Sequence, residues 1–268
     1  MLKRTILKSC TLKLPQCELD MDLLCWGSGD LGQTGHGRAG DIGPQEAHLR
    51  EFTASRLGSV KLLACGSSHS VVVTETNKIF AWGNGTSGQL GDGERAVKDQ
   101  PVEVRLPQEL NGQADVDVVG LACGSRHSFI WTATGQAFSF GNNFYAQLGY
   151  DFQRSDFKEH QLAPRLFQNP PSSLKISQVA CGERHTLFAL EDGSVAACGQ
   201  NDYGQIGSGS NENAVVPHLV ECVDHVSKVT CGANHNLVLT ARHSREREGK
   251  REEERLASLE LGCTQPGI

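Results

Sequence analysis

The chain has 268 residues, 38% of them hydrophobic and 21% charged. That is enough for a folded core in one large domain or two small ones, and it excludes global disorder. A net charge of −6 argues against nucleic-acid binding over the whole surface, and no apolar run reaches the ~18 residues of a membrane helix. Thirty glycines exceed the usual share of about 7% while nine prolines are ordinary, so the excess signals tight turns. Ten cysteines include no CxxC pair, and the N-terminus has no secretory apolar region. A disulfide framework and a zinc site are therefore not expected, and a reducing cytoplasmic or nuclear compartment is. Lys3, Arg4, Lys8 and Lys13 make the start basic, but the window is too short and too weakly amphipathic for a transit peptide. Residues 1–20 are read as an N-terminal extension.

The first patterned segment is Leu24-Cys25-Trp26-Gly27 followed by Gly32-Gln33-Thr34-Gly35. Its relatives recur down the chain in a longer unit. Ala64-Cys65-Gly66-Ser67-Ser68-His69-Ser70 opens the first complete unit, and equivalents follow at Cys123-Gly124, Cys181-Gly182 and Cys231-Gly232. The histidines are His69, His127, His185 and His235, and the glycines step by 58, 58 and 50 residues. Seventeen residues after the first three of these glycines come Gly83, Gly141 and Gly199, preceded by Trp82, Phe140 and Cys198. Then come Gly88-Gln89-Leu90-Gly91, Ala146-Gln147-Leu148-Gly149 and Gly204-Gln205-Ile206-Gly207. Within one unit, Val60–Cys65, Ser70–Thr74 and Ile79–Trp82 read as short strands, the last two joined by a tight turn at Glu75-Thr76-Asn77. Pro101–Val104 reads as an edge strand, where proline removes no needed ladder donor. Four short strands per repeat describe a blade of a β-propeller.

Cys-Gly-x-x-His-(Ser/Thr), a hairpin, Trp-Gly and Gly-Gln-Leu-Gly together resemble the regulator-of-chromosome-condensation repeat family, over roughly 21–241. The resemblance implies a seven-bladed propeller. It also implies a range of roles: nucleotide exchange on Ran-type small GTPases, chromatin binding, ultraviolet-B sensing in plants, and interaction modules within larger ligases and ciliary proteins. Fold follows from such a likeness more firmly than role does. In the plant photoreceptor branch a Trp-Arg-His-Thr string supplies stacked tryptophans and dimer salt bridges. Here Ser125-Arg126-His127-Ser128 and Glu183-Arg184-His185-Thr186 lack the tryptophan, which argues against light sensing by that route.

Several motifs have bland readings that win. Gly27–Gly32 and Gly83–Gly88 fit GxGxxG but lead into no helix of a βαβ unit, so they are turns and not dinucleotide sites. The four histidines occupy equivalent places in successive units and not the spacing of a shared metal site; they are expected to satisfy backbone or neighbouring groups. Gly66, His69, Gly83, Gly124, His127, Gly141, Gly182, His185, Gly199, Gly232 and His235 are thus structural residues. The four repeated cysteines read as small buried hydrophobes, spaced too far to bridge. Trp26 and Trp82 share a strand position and read as blade core, as does Trp131. The most individual loop follows Gly149. Its Tyr150, Phe152, Arg154, Asp156, Phe157 and Lys158 are the candidate partner-binding residues, since aromatics and arginine enrich interface cores and loops carry function.

The repeat breaks after Thr240. In register with Ile79–Trp82 stand Arg245-Glu246-Arg247-Glu248, and 242–255 carries six basic and five acidic residues, too many for a buried strand. Residues 242–268 are read as a charged tail, disordered or weakly helical near Glu252–Leu261. Three complete blades and two half-blades remain within 21–241. Four blades would need about 90° each where a seven-bladed wedge spans about 51°, so the expected fold is an all-β, incomplete propeller forming an open arc. The functional expectation is a non-enzymatic protein-interaction module, a truncated form of a longer protein. The alternative is a guanine-nucleotide exchange factor for a Ran-like GTPase. Neither calls for a cofactor, a metal, a small-molecule substrate or a membrane. The partner is a protein, with a small GTPase as one candidate and chromatin a weaker option.

Overall fold

A computed structural model describes residues 22–52, 56–107, 116–151, 159–168 and 175–242, together with the backbone of a strand at 255–260. The first blade is a four-stranded antiparallel sheet, β1 (Val60–Cys65), β2 (His69–Thr74), β3 (Ile79–Gly83) and β4 (Lys98–Val104), in that spatial order. The second repeats it with β5 (Val118–Cys123), β6 (His127–Thr132), β7 (Ala137–Asn142) and β8 (His160–Leu166). The third does so again with β9 (Ile176–Cys181), β10 (His185–Leu190), β11 (Val195–Gly199) and β12 (Ala214–Leu219). The fourth has three strands, β13 (Val226–Cys231), β14 (Asn236–Arg242) and β15 (Arg255–Glu260).

The strand chemistry explains the layering. In each complete blade the second strand is buried along its whole length, His69–Thr74, His127–Thr132 and His185–Leu190. Such strands read as continuous β-branched and aromatic runs because both faces meet another sheet. The outer strands β4, β8 and β12 are partly exposed and hold Pro101, Pro164 and Pro217, which edge strands tolerate. The hairpin between the second and third strands turns on a left-handed residue, Asn77 at φ 58° in the first blade and Gly135 at 81° in the second. Before the first blade, Leu24 bridges His48 and Gly27 bridges Ile42, giving two short extended segments of an N-terminal half-blade.

The core is not inside blades but between them. Phe52, Phe80, Trp82 and Val72 fill the space between half-blade and first blade. Val71, Ile130 and Phe140 help fill the next interface, Phe129, Phe167 and Phe188 the third, and Leu187, Ile206 and Val238 the fourth. The blades pack in chain order, innermost strand on innermost strand, β1 on β5, β5 on β9 and β9 on β13. The result is an open arc of a propeller, as the repeat count implies.

Its two ends show what a missing neighbour does. Trp26 stands where Trp82 stands one unit later, yet it is 60% exposed against 2% for Trp82. The expectation that both are blade core holds for Trp82 and fails for Trp26, which no sheet among the described residues covers. At the far end His235 is exposed while His69, His127 and His185 are buried.

The tail also departs from expectation. Arg255–Glu260 is a strand and not part of a helix: β15 pairs antiparallel with β14, Leu237 opposite Glu260 and Arg242 opposite Arg255. This segment takes the open edge of β14, whose backbone donors and acceptors need a partner. The remainder of the tail, 243–254 and 261–268, and the N-terminal extension through residue 21 lie outside the described residues.

Candidate functional site

The three joints between successive blades carry the same polar device. Gly66, Gly124, Gly182 and Gly232 close the inner turn by donating N–H to the carbonyl of the histidine three residues on, each at 2.8 Å. The histidine ring folds back over that glycine: a Cβ on Gly124 would lie 2.2 Å from His127 Cε1 and 2.5 Å from the Gly182 carbonyl oxygen. Only glycine leaves that room.

The ring then reaches the next blade. His69 Nε2 lies 2.8 Å from Ser128 Oγ, and Ser128 in turn donates to the Gln89 carbonyl at 3.0 Å. The hydroxyl has a single hydrogen, so the imidazole must be the donor to it, which places the proton on Nε2. His127, Thr186 and the Gln147 carbonyl repeat the chain at 3.0 and 2.7 Å. His185 donates to Asn236 Oδ1 at 2.7 Å, while Asn236 Nδ2 donates to the Gln205 carbonyl at 2.6 Å. Each staple therefore spans a joint twice, from inner turn to the next blade and back to the Gly-Gln-Leu-Gly loop. Burial holds His69 at about 4 and His127 at about 3, the latter also opposed by its neighbouring histidines, and lowers His185 as well. These rings are neutral structural donors, not acid–base groups at neutral pH.

The repeated cysteines are less buried than expected, Cys65 exposed and Cys123, Cys181 and Cys231 half-buried, because they open on a shared cleft. Cys65, Cys123, Cys181 and Cys231, with the glycines that follow them, line a central cleft of 440 Å³. Burial pushes Cys123 and Cys231 up to about 12 and raises Cys181 well above the ordinary thiol, so these remain thiols despite partial access from the cleft. No group of three metal-ligating side chains occurs among the described residues.

The surface feature with binding chemistry is a groove of 260 Å³ between the second and third blades. Arg126 and Arg184, equivalent residues of successive inner turns, flank it, with Asn142 from the end of β7 and Phe144 and Tyr145 from the β7–β8 loop. Arg184 lies over the Tyr145 ring at 5.3 Å, donates Nη1 to its hydroxyl at 3.3 Å and pairs with Glu183 at 3.4 Å. Phe144 packs edge-on to Tyr145 at 5.0 Å and is 52% exposed. Arg126 is exposed and makes no ion pair with a described residue; the position matching Tyr145 on its own joint is the buried Ser87. The groove thus offers a braced aromatic platform beside an uncommitted guanidinium, a combination suited to protein recognition.

Of the residues expected to bind a partner, Tyr150 alone lies among the described residues. Tyr150 is buried, packed with Phe167 and Leu148 in the joint between the second and third blades, with Arg165 over its ring at 5.7 Å. It anchors the loop entry instead of offering an exposed contact. Phe152, Arg154, Asp156, Phe157 and Lys158 lie outside the described residues. Phe144 and Tyr145 escaped sequence reasoning. Their signal was the replacement of the small Thr86-Ser87 of the first unit by two aromatics in an otherwise matching loop.

The model of the RCC1-like domain matches residues 9–258, nearly the whole chain. The chain belongs to the RCC1-like domain family. Among curated relatives of this RCC1-like chain, the ultraviolet-B receptor UVR8 of Arabidopsis thaliana is 30% identical over 228 residues, covering 82% of this chain and 47% of the relative. The probable E3 ubiquitin-protein ligase HERC6 of Homo sapiens is 29% identical over 221 residues, covering 80% of this chain and 20% of that protein. Among solved structures, yeast RCC1 (Prp20) bound to Kap60 superposes with a TM-score of 0.67 at 21% identity, over 89% of this chain and 58% of that one. Human WBSCR16 gives 0.65 at 23%, over 81% and 56%. The RCC1-like chain spans about half or less of the length of the curated relatives it matches. No helix among the described residues is long and apolar enough to cross a membrane.

Proposed function

We propose that this RCC1-like arc is a non-enzymatic protein-interaction module that takes its partner in the groove between the second and third blades. The observation that carries the reading is the Arg184–Tyr145–Phe144 platform beside Arg126. The repeated histidines and the hydroxyls or amides they meet are engaged in joining blades, whereas Phe144, Arg126 and Arg184 are exposed at the groove. The reading includes a longer parent protein, supported by the partial span of its relatives, and a cytoplasmic or nuclear setting, which suits its free thiols. Phe144→Ala and Arg126→Glu, both at exposed positions, are expected to release a captured partner while leaving thermal melting unchanged. A partner retained by both variants would send the search to another face.

A second reading is guanine-nucleotide exchange on a Ran-like GTPase. It is supported by the fold shared with Prp20p of Saccharomyces cerevisiae, a structure described together with binding to Gsp1p and histones (TM-score 0.63, 21% identical, 79% of this chain and 50% of that one). Nucleotide release from a panel of small GTPases separates the two readings: acceleration selects exchange, and an unchanged rate leaves the interaction module.

A further inference from the structure

Every internal joint sets the back of one blade against the front of the next. On the back, Val71, Phe129 and Leu187 occupy one equivalent position and are fully covered; on the front, Val179 and Val229 are 3% and 2% exposed and Leu121 is half-buried. At the two ends these positions are bare. Leu237, on the back of the fourth blade, is 41% exposed, and Leu63, on the front of the first, is 65% exposed.

The polar staple is divided in the same way. At the front end Ser70 Oγ already donates to the Gln33 carbonyl at 2.9 Å, as Ser128 does to Gln89 at the next joint. Among the described residues no histidine donates to Ser70. The fourth repeat histidine, His235, stands exposed at the opposite end, beyond its own last blade. The strands are complementary too. The half-blade has the two outer segments, bridged at Leu24–His48 and Gly27–Ile42, while the fourth blade has the inner hairpin β13–β14.

We propose that the chain associates head to tail with a second copy of itself, the back of the fourth blade docking on the front of the first. His235 of one copy then completes the Ser70–Gln33 staple of the other, and β13–β14 completes its half-blade. This goes beyond the partner-binding reading and does not depend on it. The docking register follows from the first blade, where His69 faces Gly83 and Val71 faces Ala81. Transferred to the joint, that register sets Gly27 beside His235 and Cys25 beside Leu237. β15 occupies the same edge of β14, with Leu237 opposite Glu260, so the incoming segment exchanges with β15 and the tail strand tunes association. The contact is heterologous: each docked copy keeps one free face, and growth continues until a rotation closes it.

Sedimentation velocity of the full chain over a wide concentration range tests this. Leu63→Glu and Leu237→Glu alter residues exposed in the single chain, so both variants should fold and each alone should stay monomeric. Mixed, they restore one good front and one good back and should give a one-to-one dimer that grows no further. Ala257→Pro with Ser258→Pro removes a ladder donor from β15, because successive N–H groups point to opposite sides of a strand; association should tighten by about tenfold, the worth of one backbone hydrogen bond. The proposal is overturned if the full chain and the double proline variant are both monomeric throughout, or if association survives Leu63→Glu.

Discussion

Acid should loosen the blades from one another before it affects the surface. His69 and His127 are neutral donors in dry joints, held at about 4 and about 3, whereas an unfolded histidine titrates near 6.5. The folded value lies below the unfolded one, so the unfolded chain takes up the proton first. The stabilisation from these rings is whole above pH 6.5 and drains as pH falls towards about 4 and then about 3. At pH 5 an unfolded imidazole is protonated about thirty to one while the folded ring is still neutral, which costs roughly 2 kcal/mol for each ring at 1.36 kcal/mol per unit. Two rings lose about 4 kcal/mol, a large part of the ~5–15 kcal/mol that holds a domain folded, and His185 shifts in the same direction. Protonation also adds a hydrogen at Nδ1, where none of the three rings has a hydrogen-bond partner among the described residues. Urea unfolding followed by tryptophan fluorescence at pH 7.5, 6 and 5 measures the loss. His127→Asn, which cannot titrate, should start less stable at pH 7.5 and lose about 2 kcal/mol less on going to pH 5. Equal urea midpoints at pH 7.5 and 5 in the wild type, or an undiminished pH dependence in His127→Asn, would refute the reasoning.

Gly124→Val should be among the most damaging single changes, above ~3 kcal/mol, since its side chain meets both the His127 ring and the Gly182 carbonyl; differential scanning calorimetry beside a tail variant such as Lys250→Ala would show it, and equal melting shifts would dismiss the steric account. Trp82→Ala is expected to cost ~3–5 kcal/mol and Trp26→Ala well under half of that, although both tryptophans follow the same motif; chemical denaturation of the pair checks it. Ser128→Ala strips the His69 donor of its acceptor and the Gln89 carbonyl of its donor, for ~1–3 kcal/mol; Ser128→Thr, which keeps the hydroxyl, should recover most of the loss.

The inner hairpins were legible almost to the residue. Val60–Cys65 was read as it stands, and His69–Thr74 begins one residue before the reading, because a Cys-Gly turn that must receive a histidine ring leaves little freedom in register. The staple was half legible. A hydroxyl or amide follows every repeat histidine, at Ser70, Ser128, Thr186 and Asn236, but nothing local says that the histidine bonds the copy belonging to the next blade. Trp26 and Trp82 mark the limit of local reasoning: the same Trp-Gly motif, opposite burial, because burial is decided by the adjacent sheet and not by the strand. β15 marks another. Its charged surroundings read as tail, and its strand form comes from the vacant edge of β14, a tertiary cause that propensity does not report. The groove was hidden for a related reason, since Arg184 and Tyr145 are 39 residues apart and meet only across a joint.

Because the apolar clusters lie between blades, a lone blade has little to collapse upon, and the smallest unit able to fold is a pair. The third joint, where Phe129, Phe167 and Phe188 stack within 5.0–6.1 Å of one another, holds the densest aromatic contact and makes the natural nucleus. Structure would then spread outward by nearest-neighbour addition, as in a one-dimensional lattice. Native-state hydrogen exchange should accordingly show a gradient, slowest in β6 and β10 and faster towards both ends of the arc, so that the molecule frays blade by blade like a zipper opened from its two ends.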